Sequence, residues 1–123
     1  MNAVQLRQPA LTVRQPYAWL IVAGLKPIEN RTWATTYRGP LLIHAAVKPH
    51  DHTIAEIERR YQVAINQRDL LFGGIIGRAD LIEVVNDHPS RWFTGPFGWV
   101  LRNPAPLPFR AMRGGQTLFE AAQ

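Results

Sequence analysis

The chain has 123 residues, no cysteine and a net charge of +5. This length fits one domain, and a hydrophobic content of 46% excludes a chain that is mainly disordered. The lack of cysteine excludes disulfide bonds, thiolate metal sites and a cysteine nucleophile, so the reducing cytoplasm is the expected compartment. The longest apolar run, residues 18–23, is too short to cross a membrane, and membrane insertion is not expected.

Four segments in the first 50 residues have the patterns of regular structure. Residues 11–14 alternate like a half-buried strand, and a proline then suits the first turn of a helix over residues 16–23. Gly24 is typical of the residue that follows a helix. Residues 28–33 resume an extended pattern, and the apolar run at residues 41–46 predicts a central strand.

The second part of the chain contains one further helix and three strand-like segments. A capping box begins at Thr53, and apolar residues then recur at helical spacing to about Asn66. Residues 73–85 are rich in isoleucine and valine and contain glycines, which suits a long strand bent at its glycines. Residues 97–101 predict another apolar strand, and prolines restrict residues 104–109 to an edge strand or an extended segment.

The order of these elements indicates a fold class. Strands outnumber helices, and the helices interrupt the strands rather than alternate with them. This pattern disfavours a doubly wound parallel sheet. The sequence therefore predicts an α+β fold, a small mixed β-barrel with two or three flanking helices.

The excess positive charge lies at the start of the sequence. Residues 1–48 contain six of the 14 basic residues but only one of the nine acidic residues, Glu29. Such a basic segment favours a polyanionic partner, although surface charge also serves solubility in many small proteins.

Residues 11–46 are also dense in side chains of the types that contact nucleic acids. Cations neutralise phosphates, aromatic faces stack on bases, and amides and carboxylates pair with base edges. These side chains are Arg14, Gln15, Tyr17, Trp19, Lys26, Glu29, Asn30, Arg31, Trp33, Tyr37, Arg38 and His44. The mixture suits single-stranded RNA or a nucleoside. The alternative is that the tryptophans belong to the core and the arginines to a solvated face.

The motif at residues 24–31 resembles that of a known family. It reads GLKPIENR, and its spacing G-x-K-x-x-E-x-R is similar to the signature of the ASCH domain, a branch of the PUA-like superfamily. Residues 11–19, 31–45 and 73–85, together with later segments, also resemble members of this family. Because the resemblance covers nearly the whole chain, residues 1–123 are identified as a single ASCH domain.

The resemblance implies a PUA-like β-barrel with a cleft that holds RNA or a modified nucleoside. Family members line this cleft with the signature residues, which are Lys26, Glu29 and Arg31 in this chain. The implied partner is single-stranded RNA or an RNA-derived nucleotide, with no cofactor. The candidate ligand-binding residues are Arg14, Gln15, Lys26, Glu29, Arg31, Trp33, Tyr37, Arg38 and His44.

The resemblance leaves an enzymatic function open. Some relatives are amidohydrolases on acetylated cytidine, in which a lysine at the position of Lys26 activates a threonine at the position of Glu29. This chain has no hydroxyl there, but a carboxylate can act as a general base toward water. Other relatives resemble metal-independent ribonucleases. For a hydrolase of either kind the candidate catalytic residues are Lys26, Glu29 and Tyr37. A protein-interaction adaptor is the third hypothesis.

Two further features of the sequence argue against additional sites. His50 and His52 are too loosely spaced to indicate a metal site, so no metal is expected. The glycines at positions 73, 74 and 77 resemble no phosphate-binding loop, because a strand follows them and the G-K-[ST] sequence is absent. A nucleoside triphosphate site is therefore not expected.

Overall fold

The computed structural model describes residues 7–122, so residues 1–6 and 123 of the predicted domain lie outside it. No helix in this range has both the length and the apolar character that a membrane span requires. The elements in chain order are strand β1 (Arg7–Val13), helix α1 (Tyr17–Val22), β2 (Ile28–Arg31), β3 (Gly39–Ala45), α2 (Ile54–Tyr61), a short 3-10 helix (Gln67–Asp69), β4 (Gly74–Val85), β5 (Phe97–Ala111) and β6 (Phe119–Ala122).

The six strands of residues 7–122 form one mixed sheet in the order β2-β5-β4-β3-β1-β6. Strands β1 and β3 are parallel, and the other neighbouring strands are antiparallel. The prediction of a mixed sheet with flanking helices is confirmed, and β3 lies in the interior of the sheet as predicted. The strand order is open rather than closed, because no backbone pairing within the described residues joins β2 to β6.

Helix α2 begins as predicted but ends earlier. The Thr53 hydroxyl accepts a hydrogen bond from the Glu56 N–H at 3.2 Å, and the Glu56 carboxylate accepts one from the Thr53 N–H at 3.1 Å. This is the predicted capping box. The helix stops at Tyr61 because Gln62 adopts a left-handed conformation with φ of 54°, which cannot continue a right-handed helix. The predicted end near Asn66 is therefore wrong.

The predicted strand at residues 97–101 and the proline-rich stretch at residues 104–109 belong to one strand, β5. Strand β2 pairs with β5 only from Phe97 to Val100. The rest of β5 has β4 as its neighbour and is an edge within the described part of the chain. Proline lacks a backbone N–H and is tolerated at such an edge. The prediction of an edge strand for the proline-rich stretch is confirmed.

Strand β4 is irregular at one of its glycines. Its pairing with β5 shifts register between Ile75 and Gly77. A Cβ atom at Gly77 would lie 2.6 Å from the carbonyl oxygen of Ala105 and 2.6 Å from the side chain of Val22. This position therefore requires glycine, because both β5 and α1 approach the backbone of β4 closely there.

Helix α1 packs between two apolar clusters. On the sheet side, Leu11, Ile21 and Trp99 are at most 1% exposed and belong to the main core. Leu20 belongs to a second cluster, which also contains Ile57 of α2. Burial of a side chain of this size contributes about 1.5–3 kcal/mol, so these contacts hold both helices against the sheet.

Candidate functional site

A cavity of about 650 Å³ opens beside the start of α1, strand β2, the loop after β3 and the end of α2. This volume lies within the range of about 300–1,000 Å³ that is typical of small-molecule sites. The charged side chains that line it are Arg14, Lys26, Glu29, Arg31 and Arg60. The rings that line it are those of Tyr17, His50, His52, Tyr61 and Trp92.

Three charged residues form the ion-pair cluster of the cavity, Lys26–Glu29–Arg31. Glu29 and Arg31 are two residues apart on β2, so their side chains lie on the same face of the strand. The Lys26 Nζ donates to Glu29 Oε1 and to the carbonyl oxygen of Ile28, both at 2.7 Å. The Arg31 Nε lies 3.2 Å from Glu29 Oε2, an ion pair without hydrogen-bond geometry. Glu29 thus bridges two cations.

The ion-pair cluster keeps the carboxyl group of Glu29 charged. Burial raises the pKa of Glu29, because it disfavours the ionised form. The charges of Lys26 and Arg31, with the hydrogen bond from Lys26, act in the opposite direction and hold its pKa below the ordinary value. The carboxylate is therefore an acceptor or a base at neutral pH rather than a general acid.

Arg31 also connects two strands that do not pair with each other. Its Nη2 donates a hydrogen bond to the carbonyl oxygen of Thr12 in β1. Strand β2 stands at one end of the sheet order, and β1 is next to the other end. The side chain therefore bridges the gap between these strands on the side where the cavity opens.

Two arginines of the cavity lining are exposed to solvent. Arg14 follows β1, and its only ion pair within residues 7–122 is with Asp51 at 4.0 Å. Arg60 lies in the last turn of α2, where its guanidinium group is 5.3 Å from the centre of the Tyr61 ring. Ion pairs between exposed side chains contribute little, so the charge of Arg14 remains available to a ligand.

Tyr17 and His50 supply uncharged polar groups to the cavity. Their rings meet edge to face at a centroid distance of 4.9 Å. Burial raises the pKa of Tyr17, and burial together with His52 lowers the pKa of His50, so both are neutral at pH 7. The His52 N–H donates to His50 Nδ1 at 3.1 Å, which leaves the ring proton on Nε2.

One wall of the cavity is held by Asn30. Its Nδ2 donates to the carbonyl oxygen of Trp92 at 2.9 Å, and its Oδ1 accepts from the N–H groups of Thr94 at 2.8 Å and Gly95 at 3.1 Å. Trp92 in turn stacks on Tyr61, with ring centres 4.0 Å apart. Because both of these rings are buried, they form the wall rather than a surface for stacking bases.

Two of the predicted ligand-binding residues are buried outside the cavity lining. The side chain of Gln15 donates to the carbonyl oxygen of Leu71 at 2.9 Å and accepts from the Trp19 N–H at 2.8 Å. His44 Nε2 lies 2.7 Å from the carbonyl oxygen of Met112 and donates to it. Both side chains connect segments of the fold that are distant in sequence.

Three other predicted residues also lie outside the cavity lining. Trp33 packs edge to face on Trp99, with ring centres 4.8 Å apart. The Tyr37 hydroxyl donates to the carbonyl oxygen of Pro40, and Arg38 donates to the backbone of the loop before β3. Arg38 borders a second, more open cavity of about 480 Å³. The structure thus brings Arg14, Lys26, Glu29 and Arg31 together and leaves the other candidates elsewhere.

Sequence reasoning did not assign Arg60, His50 or Tyr17 to the ligand-binding set, although all three line the cavity. Tyr17 belongs to the basic and aromatic segment. Arg60 lies within the predicted helix, and only the observed end at Tyr61 places it in the last turn, where a cation is commonly found. The sequence suggested only one role for His50, that of a metal ligand, and no metal site was expected there. Within residues 7–122, no group of three or more His, Asp or Glu side chains is arranged to hold a metal ion.

Comparison with known proteins gives the family to which this chain belongs. A family model described as the ASCH domain matches residues 11–94. This match covers more than half of the 123 residues, and the chain belongs to the ASCH domain family. The resemblance inferred from the motif at residues 24–31 is confirmed.

Particular relatives include two mammalian proteins and two solved structures. Activating signal cointegrator 1 of Homo sapiens is 32% identical over 112 residues, which cover 79% of this chain and 19% of that protein. The protein of the same name from Mus musculus is 34% identical with the same coverage, so the chain spans about a fifth of the length of these curated relatives.

The crystal structure of ASCH from Zymomonas mobilis has a TM-score of 0.56 and 16% identity, and the match covers 90% of this chain and 85% of that chain. The structure of a tyrosine-to-phenylalanine mutant of the same Zymomonas mobilis protein has a TM-score of 0.55 and 16% identity, with 90% and 87% covered. At this level of identity the likeness concerns the fold.

Proposed function

We propose that this ASCH domain binds RNA and that its cavity takes single-stranded RNA or a modified nucleoside. One observation carries the proposal: four basic side chains converge on one cavity, in which Glu29 is the only acidic lining residue of the described chain. Cations in a partly closed cleft attract and neutralise phosphate groups. The basic side chains are Arg14, Lys26, Arg31 and Arg60.

The distribution of charge along the sequence supports the same proposal. Three of these four cations come from residues 1–48, where Glu29 is the only acidic residue. Membership in a family associated with RNA binding agrees with a polyanionic ligand. The hydrogen bond from Arg31 to Thr12 also supports the finer proposal that side-chain contacts complete a barrel-like, PUA-like enclosure around the cavity.

The test is a titration of the protein with short, mixed-sequence single-stranded RNA. Tryptophan fluorescence reports binding, and the titration is repeated over a series of salt concentrations. If about three to five phosphates are engaged, the log–log plot of affinity against salt should have a slope of roughly −2 to −3.5. Lys26→Ala and Arg31→Ala should weaken binding, because each leaves the negative charge of Glu29 less neutralised inside the cavity.

Arg102→Ala is the matched control for this titration. Arg102 is an exposed cation of β5 outside the cavity lining, and its replacement changes the net charge by the same amount. A slope near zero, or equal binding by wild type and both cavity variants, contradicts the proposal. Thermal unfolding of each variant shows that a weaker binder is still folded.

The second candidate function is hydrolysis in the same cavity. It is favoured by the pairing of an ionised Glu29 with Lys26 at 2.7 Å, since a carboxylate can accept a proton from water or from a ribose 2′-hydroxyl. The substrate is then single-stranded RNA or acetylcytidine. Tyr37, the third candidate catalytic residue, lies outside the cavity lining.

Two assays decide between binding and hydrolysis. End-labelled RNA incubated in EDTA and run on a denaturing gel reports a metal-independent ribonuclease, and mass spectrometry of acetylcytidine reports an amidohydrolase. Shortened RNA with wild type but not with Lys26→Ala supports the ribonuclease. If the substrates are unchanged in both assays, hydrolysis of either substrate is excluded and binding is the remaining function.

The proposal extends to the organisation of the chain. We take residues 1–123 as one ASCH domain that acts without a cofactor. The absence of cysteine supports a reducing compartment such as the cytoplasm.

A protein partner is the alternative to RNA. This alternative predicts tight binding to the protein partner and no binding to RNA.

A further inference from the structure

The positive charges of the cavity differ in how far they are already neutralised. Lys26 and Arg31 share the carboxylate of Glu29, and each also donates to a backbone carbonyl oxygen. Lys26 is only 4% exposed. The donors of the ion-pair cluster are therefore largely occupied before a ligand enters.

The uncommitted positive charge lies at the solvent-exposed part of the lining. Arg14 has 49% of its side chain exposed and only a long contact with the even more exposed Asp51. Arg60 is exposed and, within residues 7–122, has no carboxylate within ion-pair distance. Its guanidinium group stays near the Tyr61 ring, which leaves its N–H donors free.

Uncharged donors line the same cavity, next to the ion-pair cluster. The Tyr17 ring lies 5.3 Å from Lys26 Nζ and meets the His50 ring edge to face. The hydroxyl of Tyr17 has no hydrogen-bond partner within residues 7–122, and the Nε2 proton of His50 is not used by the His52 contact. Neutral donors of this kind suit the uncharged part of a ligand, such as a ribose or a base.

We propose that the cavity binds a single nucleoside monophosphate unit, with its phosphate at Arg14 and Arg60 and its nucleoside toward Tyr17 and the ion-pair cluster. The forked guanidinium group matches the geometry of phosphate oxygens, and Arg14 and Arg60, from separate segments of the chain, line the same cavity. This inference rests on the proposed RNA-binding function and assigns the anion to exposed arginines rather than to the signature residues.

The test is isothermal titration calorimetry of the whole chain with ribonucleoside 5′- and 3′-monophosphates, the matching ribonucleosides and inorganic phosphate. A monophosphate should bind about tenfold or more tightly than its nucleoside, as expected for charge-assisted hydrogen bonds. Arg14→Ala and Arg60→Ala should each lower the affinity for the monophosphate by about tenfold and change the affinity for the nucleoside by less than about twofold.

Arg59→Ala is the matched control, because Arg59 is exposed in the same turn of α2 but does not line the cavity. It should leave monophosphate binding unchanged, which separates a local contact from a general effect of net charge. Equal affinities for monophosphate and nucleoside overturn the inference. The inference is also overturned if Arg59→Ala lowers the affinity for the monophosphate as much as Arg60→Ala does. It is overturned as well if inorganic phosphate binds as tightly as the monophosphate.

Failure of this inference is distinguishable from failure of the proposed function. If short single-stranded RNA binds to the wild type and no monophosphate does, the single-nucleotide site is wrong and RNA binding stands. If neither RNA nor any mononucleotide binds, both the inference and the proposed function are wrong.

Discussion

Glu29 shows how the surroundings of one side chain decide its chemistry. The same carboxylate in water would be a freely titrating group, but here it is 8% exposed and contacts two cations. A buried ion pair adds little when compared with an apolar replacement, yet removal of one partner leaves an unpaired charge and is costly. Its charge is therefore coupled to the stability of the fold.

Glu29→Gln is expected to destabilise the protein at neutral pH by about 3–5 kcal/mol, because Lys26 and Arg31 lose their anionic partner. Since the folded-state pKa of Glu29 is lowered, its contribution is complete above the ordinary pKa of a glutamate carboxyl and is lost as the pH falls through the lower folded value. The difference in free energy of unfolding between wild type and variant should shrink on acidification. Urea unfolding of both proteins at a series of pH values measures this difference in free energy.

Glu83→Gln is the control for this experiment. Glu83 is exposed on β4 and forms no ion pair within residues 7–122, so its replacement should change stability by less than about 0.5 kcal/mol. A Glu29→Gln variant as stable as the control, or a difference that grows as the pH falls, contradicts the assigned charge state.

At the scale of elements, a hydrogen-bonded network fastens the C-terminal segment to β1 and β3. His44 donates to the carbonyl oxygen of Met112, and the Thr12 hydroxyl lies 3.2 Å from His44 Nδ1. The Gly115 N–H donates to the same hydroxyl at 3.0 Å. Because Gly115 and Gln116 line the cavity, this network positions part of its wall.

Gly114→Ala is expected to disrupt this network. A Cβ atom at Gly114 would overlap Thr12 Oγ1 and would lie 2.8 Å from His44 Cε1. Such overpacking costs about 1–3 kcal/mol, and we expect it to weaken RNA binding by displacing the segment. Denaturant unfolding and the RNA titration measure the two effects.

Gly115→Ala provides the comparison for Gly114→Ala. The nearest atom to a Cβ at Gly115 is Phe119 Cδ1 at 3.4 Å, which is close to an ordinary contact. This variant should keep most of its stability. If both variants behave like the wild type, the segment is not held in place by the Thr12–His44 contact.

At the scale of the whole molecule, the sheet has an exposed edge that prolines protect. Beyond Val100, β5 has β4 as its neighbour within the described residues, and this part carries exposed Leu107 and Phe109. An apolar edge strand with free N–H groups is a template for pairing with another chain. The prolines at positions 104, 106 and 108 remove donors from this edge.

Replacement of Pro106 and Pro108 together by threonine should increase self-association, because it restores backbone donors in a strand-forming sequence. Sedimentation velocity at rising protein concentration measures the effect. Pro89→Thr, at an exposed proline outside the strands, is the control and should not associate more than the wild type. No increase in the double variant would show that the prolines do not protect this edge.

Local patterns predicted much of the fold because they act over a few residues. The capping box at Thr53 involves two residues three positions apart, and it was recognisable from the sequence. The end of α2 could not be recognised from the sequence, because it depends on the left-handed conformation of Gln62. The two-residue spacing of Glu29 and Arg31 is also local, and it puts both side chains on one face of β2.

The sequence by itself determined the ASCH family, the main strands and helices, and the spacing of Lys26, Glu29 and Arg31, since all of these are properties of neighbouring residues. The tertiary structure decided which other side chains reach the cavity. Arg60 lines it because α2 packs beside α1, whereas His44 turns inward to a carbonyl 68 residues away. Contacts between segments so distant in sequence arise from the order of the strands and the packing of the helices, which no local pattern encodes.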